Sequence, residues 1–426
     1  MKNRPRHRHA WALDRNYIGW GNQRYHAGVN DTPLRLLIVS AAYPPMVAGE
    51  ATQTLFLSRA FAQRGWSVHV LTTDRSGATE KVGYTVEQGF TVHATMRDWT
   101  WGDLGRLRHV VKQVQPSVVL INYTGWLYDH HPMVTFAPSI IKIIDRQIRI
   151  VSMMTHPDGS RENKLSPVSR WFHRLLRWGM KDRVSFNYGT LLSGSDKVVS
   201  LAESFELAFV QQYEKVKQKL VVIPPPALIK LHGQPPHVAR SSGRKLLGLA
   251  ATDQLLVYTG LIAPGKGLET LLKALAMLVP THPHLSLALV GGVVNEQLHH
   301  HRTYAEELDL MIGELGLRNK VHRIGPFEVD DQEPSLVLAA GDAAVLPWDK
   351  GVHMNNSTVA TVTAHGLPLI TTMPEQLESI FVDGENLLLI PPQDAQALAG
   401  AIQRVLHVPV IRETLRQGAA QLQKIT

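Results

Sequence analysis

Short apolar runs recur along the chain and alternate with segments of helical periodicity. The first run, LRLLIVSAAYPP from Leu34, ends in turn residues, and helical periodicity follows over 51–64. Apolar runs of this length are typical of strands buried on both faces of a parallel sheet. Because such strands alternate with helices, the pattern predicts an α/β fold with helices covering both faces of each sheet.

Further strand-like runs complete two successive units of similar size. Those of the first unit are SVHVLTT (67–73), SVVLINY (117–123), RIVSMMTH (149–156), DKVVSLA (196–202) and KLVVIPPP (219–226). Those of the second are QLLVYTG (254–260), HLSLALVGG (284–292), KVHRIG (320–325), AAVLPW (343–348), PLITT (368–372) and ENLLLIP (385–391). Residues 227–252 are poor in pattern and are interpreted as a linker. We therefore expect domains at 34–226 and 253–426.

Composition narrows the class of partner and the location. The formal net charge is +8, which favours anionic partners in general. No basic motif interleaved with aromatic residues is present, so nucleic acid is not an expected partner. Cysteine is absent, which excludes disulfides and cysteine metal sites and fits a reducing cytoplasm. The sequence contains no run of ~20 apolar residues, so it predicts no membrane-spanning helix.

Two basic segments could contact a membrane surface. Residues 1–33 contain a run of like charges without apolar periodicity, which predicts a disordered tail, with a membrane-docking arm as the alternative. Residues 168–181, VSRWFHRLLRWGMK, predict an amphipathic helix with aromatic and basic residues. Such a helix could bind the inner face of an anionic membrane, or it could pack its apolar stripe against a sheet.

Candidate binding residues follow the predicted strands, where ligands of open α/β sheets bind. Gly49 stands where a helix begins and would let backbone N–H groups approach an anion, or it belongs to a simple turn. In YTGLIAPGKGLETLLKAL, Gly260 and Lys266 lie between a strand and a helix, which suits phosphate, although the Walker spacing is absent. The alternative is a surface lysine next to a helix cap. His156 follows the strand RIVSMMT and could bond a ligand or transfer a proton.

The histidine run LHHHRTY (298–304) predicts no metal site. Three consecutive histidines do not easily converge on one ion, and no acidic or cysteine partner is nearby. A solvated loop is the better interpretation, and no metal ion is expected.

Four stretches together resemble the retaining, nucleotide-sugar-dependent glycosyltransferase family called family 4, of the GT-B fold. They are LRLLIVSAAYPPMVAGEATQTLFLSRAFAQRGWSVHVLTT, YTGLIAPGKGLETLLKALAML, AHGLPLITT and LESIFVDGENLLLIPPQDAQALAGAIQRVL. The resemblance implies two facing Rossmann-like domains with parallel sheets and an active site in the cleft between them. It also implies that the nucleotide sugar binds mainly the second domain and the acceptor mainly the first.

The resemblance implies roles for individual residues. Gly49 would lie beside the donor phosphates, and Lys266 would pair with the diphosphate as the glycosidic bond breaks. His156 would reach the sugar or the phosphate. The segment RIGPFE (323–328), with Gly325, would hold the nucleobase through backbone groups.

The segment LPWDKGVHMNNSTVATVTAHG (346–366) departs from the family pattern. The family usually has two glutamates there, at the positions that His353 and Thr361 occupy, and an arginine where Leu261 stands. A neutral hydroxyl binds ribose less strongly than a carboxylate does. The remaining polar groups expected to contact the donor are Asn355, Asn356, Ser357, Thr358 and Thr361.

The predicted function is transfer of a hexose, with retention, from a nucleoside diphosphate sugar to a hydroxyl acceptor, which could be lipid-linked. The setting would be polysaccharide or glycolipid synthesis in the cytoplasm or at the inner membrane face. No cofactor is expected, since the nucleotide sugar is a substrate. The alternative is a catalytically weakened module of the same fold that binds a glycan or partners another transferase.

Overall fold

The structure is a computed structural model that describes residues 33–46, 48–75, 83–87, 89–157, 184–185, 187–293 and 303–425. The predicted tail (apart from Pro33), the predicted basic helix over 168–181 and the histidine run at 299–301 lie outside these residues. In the described part, the chain forms two α/β domains, each built around one sheet.

The first domain contains an eight-stranded sheet with the order β3-β4-β2-β1-β5-β6-β7-β8. The strands are β1 (Arg35–Val39), β2 (Ser67–Thr73), β3 (Gly83–Glu87), β4 (Phe90–Met96), β5 (Val118–Tyr123), β6 (Arg149–Met154), β7 (Lys197–Ser200) and β8 (Leu220–Val222). The helices are α1 (Gly49–Gln63), α2 (Leu104–Val114), α3 (Pro132–Thr135), α4 (Ala137–Ile144), α5 (Leu191–Gly194) and α6 (Glu206–Gln212).

One edge strand, β3, is added antiparallel to this otherwise parallel sheet. β3 and β4 pair antiparallel, whereas the other neighbouring strands pair parallel. The physical reason is the short connection between them, because a parallel neighbour needs a crossover of a dozen or more residues.

The apolar strands of the first domain pack on both faces of the sheet. Alternate residues of a strand point to opposite faces. In β1, Leu36 and Ile38 belong to the core under α1, together with Leu55, whereas Leu37 and Val39 belong to the core on the other face. This arrangement explains why the sequence of β1 is continuously apolar.

The second domain contains a six-stranded parallel sheet with the order β11-β10-β9-β12-β13-β14. Its strands are β9 (Gln254–Thr259), β10 (Leu285–Val290), β11 (Val321–Ile324), β12 (Ala343–Leu346), β13 (Leu369–Thr372) and β14 (Leu388–Ile390). Its helices are α7 (Pro236–Leu246), α8 (Leu268–Leu278), α9 (Tyr304–Glu314), α10 (Glu333–Ala340), α11 (Ser357–Ala364), α12 (Ala395–His407) and α13 (Pro409–Leu422). The two-domain α/β fold is therefore confirmed.

Within the segment predicted as a linker, 227–252, Pro236–Leu246 form helix α7, and the domain bounds stay a prediction. α7 packs against α10 of the second domain. Its Arg244 is buried and donates to the carbonyl oxygens of Ala250 and Ala340. The helix begins at a proline, and the residues that it buries are Ala239, Gly243 and Arg244, so it contributes no large apolar side chain to the core. A segment without large buried apolar residues gives little sequence signal of burial.

No helix in the described ranges is both long enough and apolar enough to cross a bilayer.

Candidate active site

A cleft of about 990 Å³ opens between the carboxyl ends of the two sheets. Clefts of ~300–1,000 Å³ are typical of small-molecule sites. Both domains line it through loops that directly follow strands, as open α/β sheets usually arrange their ligand sites. The predicted residues that line it are Gly49, His156, Gly260, Lys266, Asn355, Asn356, Ser357, Thr358 and Thr361.

Lys266 projects from the loop between β9 and α8. The loop leaves the strand through Gly260, whose φ of 126° favours glycine, and it ends at Gly267, the N-cap of α8. Lys266 is half-buried, and burial lowers the pKa of its ammonium group below the usual range. The ammonium has no hydrogen-bond or ion-pair partner in the part of the chain that the structure describes. A partly desolvated cation without a partner is best satisfied by an anion in the cleft.

The N-terminus of α11 also faces the cleft. Asn356 is the N-cap residue, yet its side chain makes no capping hydrogen bond, and the first turn contains no acidic residue. The first N–H groups of a helix lack intrahelical partners and carry partial positive charge. This end of α11 therefore suits phosphate, and Asn355, Ser357 and Thr358 can add neutral hydrogen bonds.

The two positions where the family usually has glutamates are occupied differently. Thr361 lines the cleft, but its hydroxyl donates to the carbonyl of Ser357 (3.0 Å) and accepts from the N–H of Leu228 (3.2 Å). The hydroxyl thus holds the chain that crosses between the domains. His353 is not among the lining residues, and its buried Nδ1 has no partner in the described part of the chain.

Gly325 does not line the cleft, unlike the other predicted donor-binding residues. It follows β11 and packs against Gly291, so that an added Cβ would lie 2.7 Å from the Gly291 carbonyl oxygen. Its neighbours Pro326 and Phe327 line the cleft instead. The contribution of Gly325 is therefore to let two loops approach closely.

The first-domain wall is formed at the ends of β1, β5 and β6. Gly49 opens α1, and an added Cβ there would meet only Leu228 Cδ1 at 3.7 Å. His156 is exposed, and its Nδ1 lies 2.9 Å from the carbonyl oxygen of Pro157. Because a carbonyl oxygen only accepts, Nδ1 is the donor in this contact.

Sequence reasoning missed three residues of this wall: Glu50, Trp126 and His130. Trp126 and His130 follow β5, and their position directly after a strand was the available signal. The aromatic residue and the acid are conspicuous only once the fold brings the loops together.

Polar contacts link the two domains. Arg59 of α1 forms a bidentate ion pair with Asp330, with N–O distances of 2.9 and 2.8 Å. In a second contact, buried Glu378 accepts from the N–H and hydroxyl of Ser204, at 3.1 and 2.9 Å. Glu378 also accepts from the N–H of Met354 at 2.5 Å. One carboxylate therefore links the first domain to the loop that precedes α11.

Replacing Glu378 by glutamine is expected to destabilise the protein by about 2 kcal/mol, because an amide NH₂ cannot accept and one buried N–H loses its partner. The matched control is Glu203→Gln, since Glu203 makes the reciprocal contacts to Ser379 but is exposed. Thermal unfolding measures both variants. Equal shifts of the two would contradict the role given to Glu378.

No group of three or more His, Asp or Glu residues in the described ranges is arranged to bind a metal ion. The expectation that the chain needs no cofactor stays a prediction.

Comparison with known proteins defines the class first. Residues 47–227 match the family model for Glycosyltransferase Family 4, and residues 241–422 match the model for Glycosyl transferases group 1. Anabaena HepE, solved in complex with UDP and glucose, superposes with a TM-score of 0.64 at 18% identity, covering 92% of this chain and 95% of that chain. The fold is that of the GT-B glycosyltransferases. The chain belongs to the family 4 and group 1 glycosyltransferases.

Two curated relatives place the chain within that class. D-inositol 3-phosphate glycosyltransferase of Thermomonospora curvata is 27% identical over 54% of this chain and 53% of that protein. Glycogen synthase of Mycobacterium tuberculosis is 24% identical over 92% of this chain and 90% of that protein. The chain thus spans about half the length of the inositol-phosphate relative and most of the glycogen synthase.

Proposed function

We propose that the protein transfers a hexose from a nucleoside diphosphate sugar to a hydroxyl acceptor, with retention of configuration. The observation that carries the proposal is Lys266: a half-buried ammonium group, without a protein partner in the described residues, in a cleft that the N-terminus of α11 also faces. Both features favour a diphosphate. A structural neighbour supports this substrate class, since Anabaena HepE was solved in complex with UDP-glucose.

Retention is compatible with the absence of the two glutamates that the family usually has in the second domain. In attack on the same face as the leaving group, the acceptor oxygen bonds to the anomeric carbon while the bond from that carbon to the diphosphate breaks. The leaving diphosphate gains negative charge, and Lys266 stabilises it. His353 and Thr361 supply no carboxylate, but this step needs none from them. The absence of the two glutamates at these positions would mainly weaken donor binding.

The acceptor and the location belong to the same proposal. A lipid-linked acceptor and peripheral contact with a membrane through residues 168–181 rest on the sequence alone, since that segment lies outside the described residues. Binding of the full chain to vesicles with and without anionic lipid tests the contact. Equal binding to both, or binding to neither, would contradict it.

The decisive experiment combines nucleotide binding with turnover. Calorimetry against UDP, GDP and ADP is expected to reveal binding of one nucleoside diphosphate, and the corresponding nucleotide sugars are expected to release it when a sugar acceptor is present. Binding without any release would favour the alternative of a catalytically weakened module, which the absence of both glutamates also suggests. No binding of any nucleotide would overturn both.

A further inference from the structure

The loop between β11 and α10 belongs to the second domain but contacts the first. It consists of residues 325–332, between the end of β11 at Ile324 and the start of α10 at Glu333, and is called the β11–α10 loop below. Most of its residues line the cleft, namely Pro326, Phe327, Glu328, Val329 and Asp331. The first domain can therefore affect, through this loop, a ligand that the second domain binds.

A tight turn at 328–331 carries the contact with the first domain. The N–H of Glu328 donates to the Asp331 carboxylate at 2.8 Å, and the N–H of Asp331 donates to the Glu328 carbonyl at 3.1 Å. These two hydrogen bonds close a β-turn whose central residues are Val329 and Asp330. Both side chains therefore project from a turn whose backbone is already fixed.

Asp330 forms the ion pair with Arg59 of α1. The pair is bidentate, and the Arg59 side chain is 18% exposed whereas the Asp330 side chain is 55% exposed. Exposed ion pairs contribute little to stability, but a bidentate pair with one partner largely buried fixes the orientation of both groups. The Nε of Arg59 is buried and has no partner in the described residues, so the guanidinium depends on Asp330 for its neutralisation.

Val329 makes an apolar contact beside the ion pair. It is half-buried and packs against the first-domain core under α1, which contains Leu36, Ile38 and Leu55. All buried residues of that core belong to the first domain, so Val329 is contributed by the opposite domain. Burial of apolar area is not screened by salt as an ion pair is. Two adjacent residues of one turn thus attach the β11–α10 loop to the first domain by different forces.

The position of the β11–α10 loop along the sheet indicates which part of a nucleotide it would contact. The strand order is β11-β10-β9, and Lys266 lies in the loop that follows β9. Since neighbouring strands lie ~4.8 Å apart, the ends of β11 and β9 are separated by roughly 10 Å. A nucleoside that extends from a diphosphate at Lys266 toward β11 covers a distance of this order.

The lining on the β11 side of the cleft suits a nucleobase better than the lining on the β12 side. Near the ends of β10 and β11 lie the side chains of Val290, Pro326 and Phe327, which are aliphatic or aromatic. After β12, residues 355–358 offer only amides and hydroxyls. A base has flat faces that stack on aromatic side chains, whereas phosphates and sugar hydroxyls need hydrogen bonds. We therefore expect the nucleoside to lie against the β11–α10 loop.

We propose that Arg59 of the first domain is a positioning residue for the nucleoside of the donor, because its ion pair with Asp330 holds the β11–α10 loop against the nucleoside and slows release of the nucleotide. The inference rests on the proposed function. Arg59 acts through the loop, since it is not among the residues that line the cleft. The diphosphate is held by Lys266 and the N-terminus of α11, so its binding does not depend on this contact.

The test compares Arg59→Ala and Asp330→Ala with the wild-type protein, using UDP, GDP and ADP as probes and inorganic pyrophosphate as a probe without a nucleoside. For the nucleotide that the wild-type protein binds, each variant is expected to raise the dissociation rate about tenfold, the effect of losing a charge-assisted pair. The affinity for pyrophosphate should not change. In turnover, the KM for the nucleotide sugar should rise while kcat changes less than about threefold, because the groups at the diphosphate are intact.

The matched control is Arg64→Ala. Arg64 is an exposed arginine at the C-cap of the same helix, and its guanidinium donates only to the carbonyl of Ala60 among the described residues. The control removes the same charge from α1 and should release the nucleotide at the wild-type rate. Val329→Ala tests the apolar contact and is expected to raise the dissociation rate about threefold.

The double variant Arg59→Ala/Asp330→Ala removes both charges, so neither is left unpaired, and it decides the test if a single variant does not fold. Because the two side chains act as a pair, it should release the nucleotide no faster than either single variant. A wild-type release rate in the double variant would overturn the inference and leave the proposed function intact. Pyrophosphate affinity lost in parallel, or an equal effect of Arg64→Ala, would also overturn it. A wild-type protein that binds none of the three nucleotides would instead remove the proposed function.

Discussion

Replacing Lys266 by alanine is expected to lower the rate of nucleoside diphosphate release by about a thousandfold, the loss typical of a group that stabilises charge developing in the transition state. Release of the nucleotide from its sugar measures the effect. Among the described residues, no other lysine and no arginine lines the cleft, so no second group of that kind can replace the ammonium there. Nucleotide affinity should fall as well, but less, because the diphosphate gains its extra charge only as the bond breaks.

The matched control is Lys273→Ala, one of the exposed positions of α8, the helix that follows the Lys266 loop. It removes one positive charge from the same domain and should leave turnover unchanged. Because burial lowers the pKa of Lys266, the wild-type protein should lose activity as the pH rises through that pKa, below the usual lysine range. Equal losses in the two variants would indicate a general effect of charge and would contradict the assignment.

The strands of the core could be predicted from sequence because their burial shows in their own residues. β10 lies within the predicted strand HLSLALVGG, and all six of its residues, Leu285–Val290, are buried. A strand buried on both faces is mostly apolar, and that signal needs no knowledge of its neighbours. β3, β4 and α7 were not predicted, because recognising them requires knowledge of their neighbours in the fold. The helical packing of α7 depends on α10, about a hundred residues further along the chain, as in the contact from Arg240 to Ala340.

Those residues of the candidate site could be predicted whose role depends on a single loop. Lys266 lies between a strand and a helix, so its position after the strand indicates the cleft. The roles of Thr361 and Glu378 depend on contacts with the first domain and the crossing chain, such as those with Leu228 and Ser204. The burial that raises the pKa of Glu50 likewise follows from the assembled fold and not from its neighbours in sequence. A local sequence pattern gives no information about contacts between residues that are so far apart in the chain.

Replacing Gly267 by alanine is expected to destabilise the second domain by more than about 4 kcal/mol, the range reached by severe backbone or core disruptions. Gly267 caps α8 with a φ of 70°, and an added Cβ would lie 1.8 Å from the carbonyl oxygen of Pro347. Pro347 follows β12, so neither side of the contact can move without shifting a strand end or a helix start. The Lys266 loop is held at the cleft by this close approach, and the variant should lose nucleotide binding with stability.

Gly265→Ala separates the clash from the backbone conformation. Gly265 also has a left-handed φ, of 78°, but an added Cβ would meet nothing within 4 Å. It should therefore cost only about 1–2 kcal/mol, the penalty of an L-residue in that conformation. Calorimetric unfolding of both variants measures the difference. If Gly265→Ala were as damaging as Gly267→Ala, strain alone would explain both, and the contact with Pro347 would not be what fixes the lysine at the cleft.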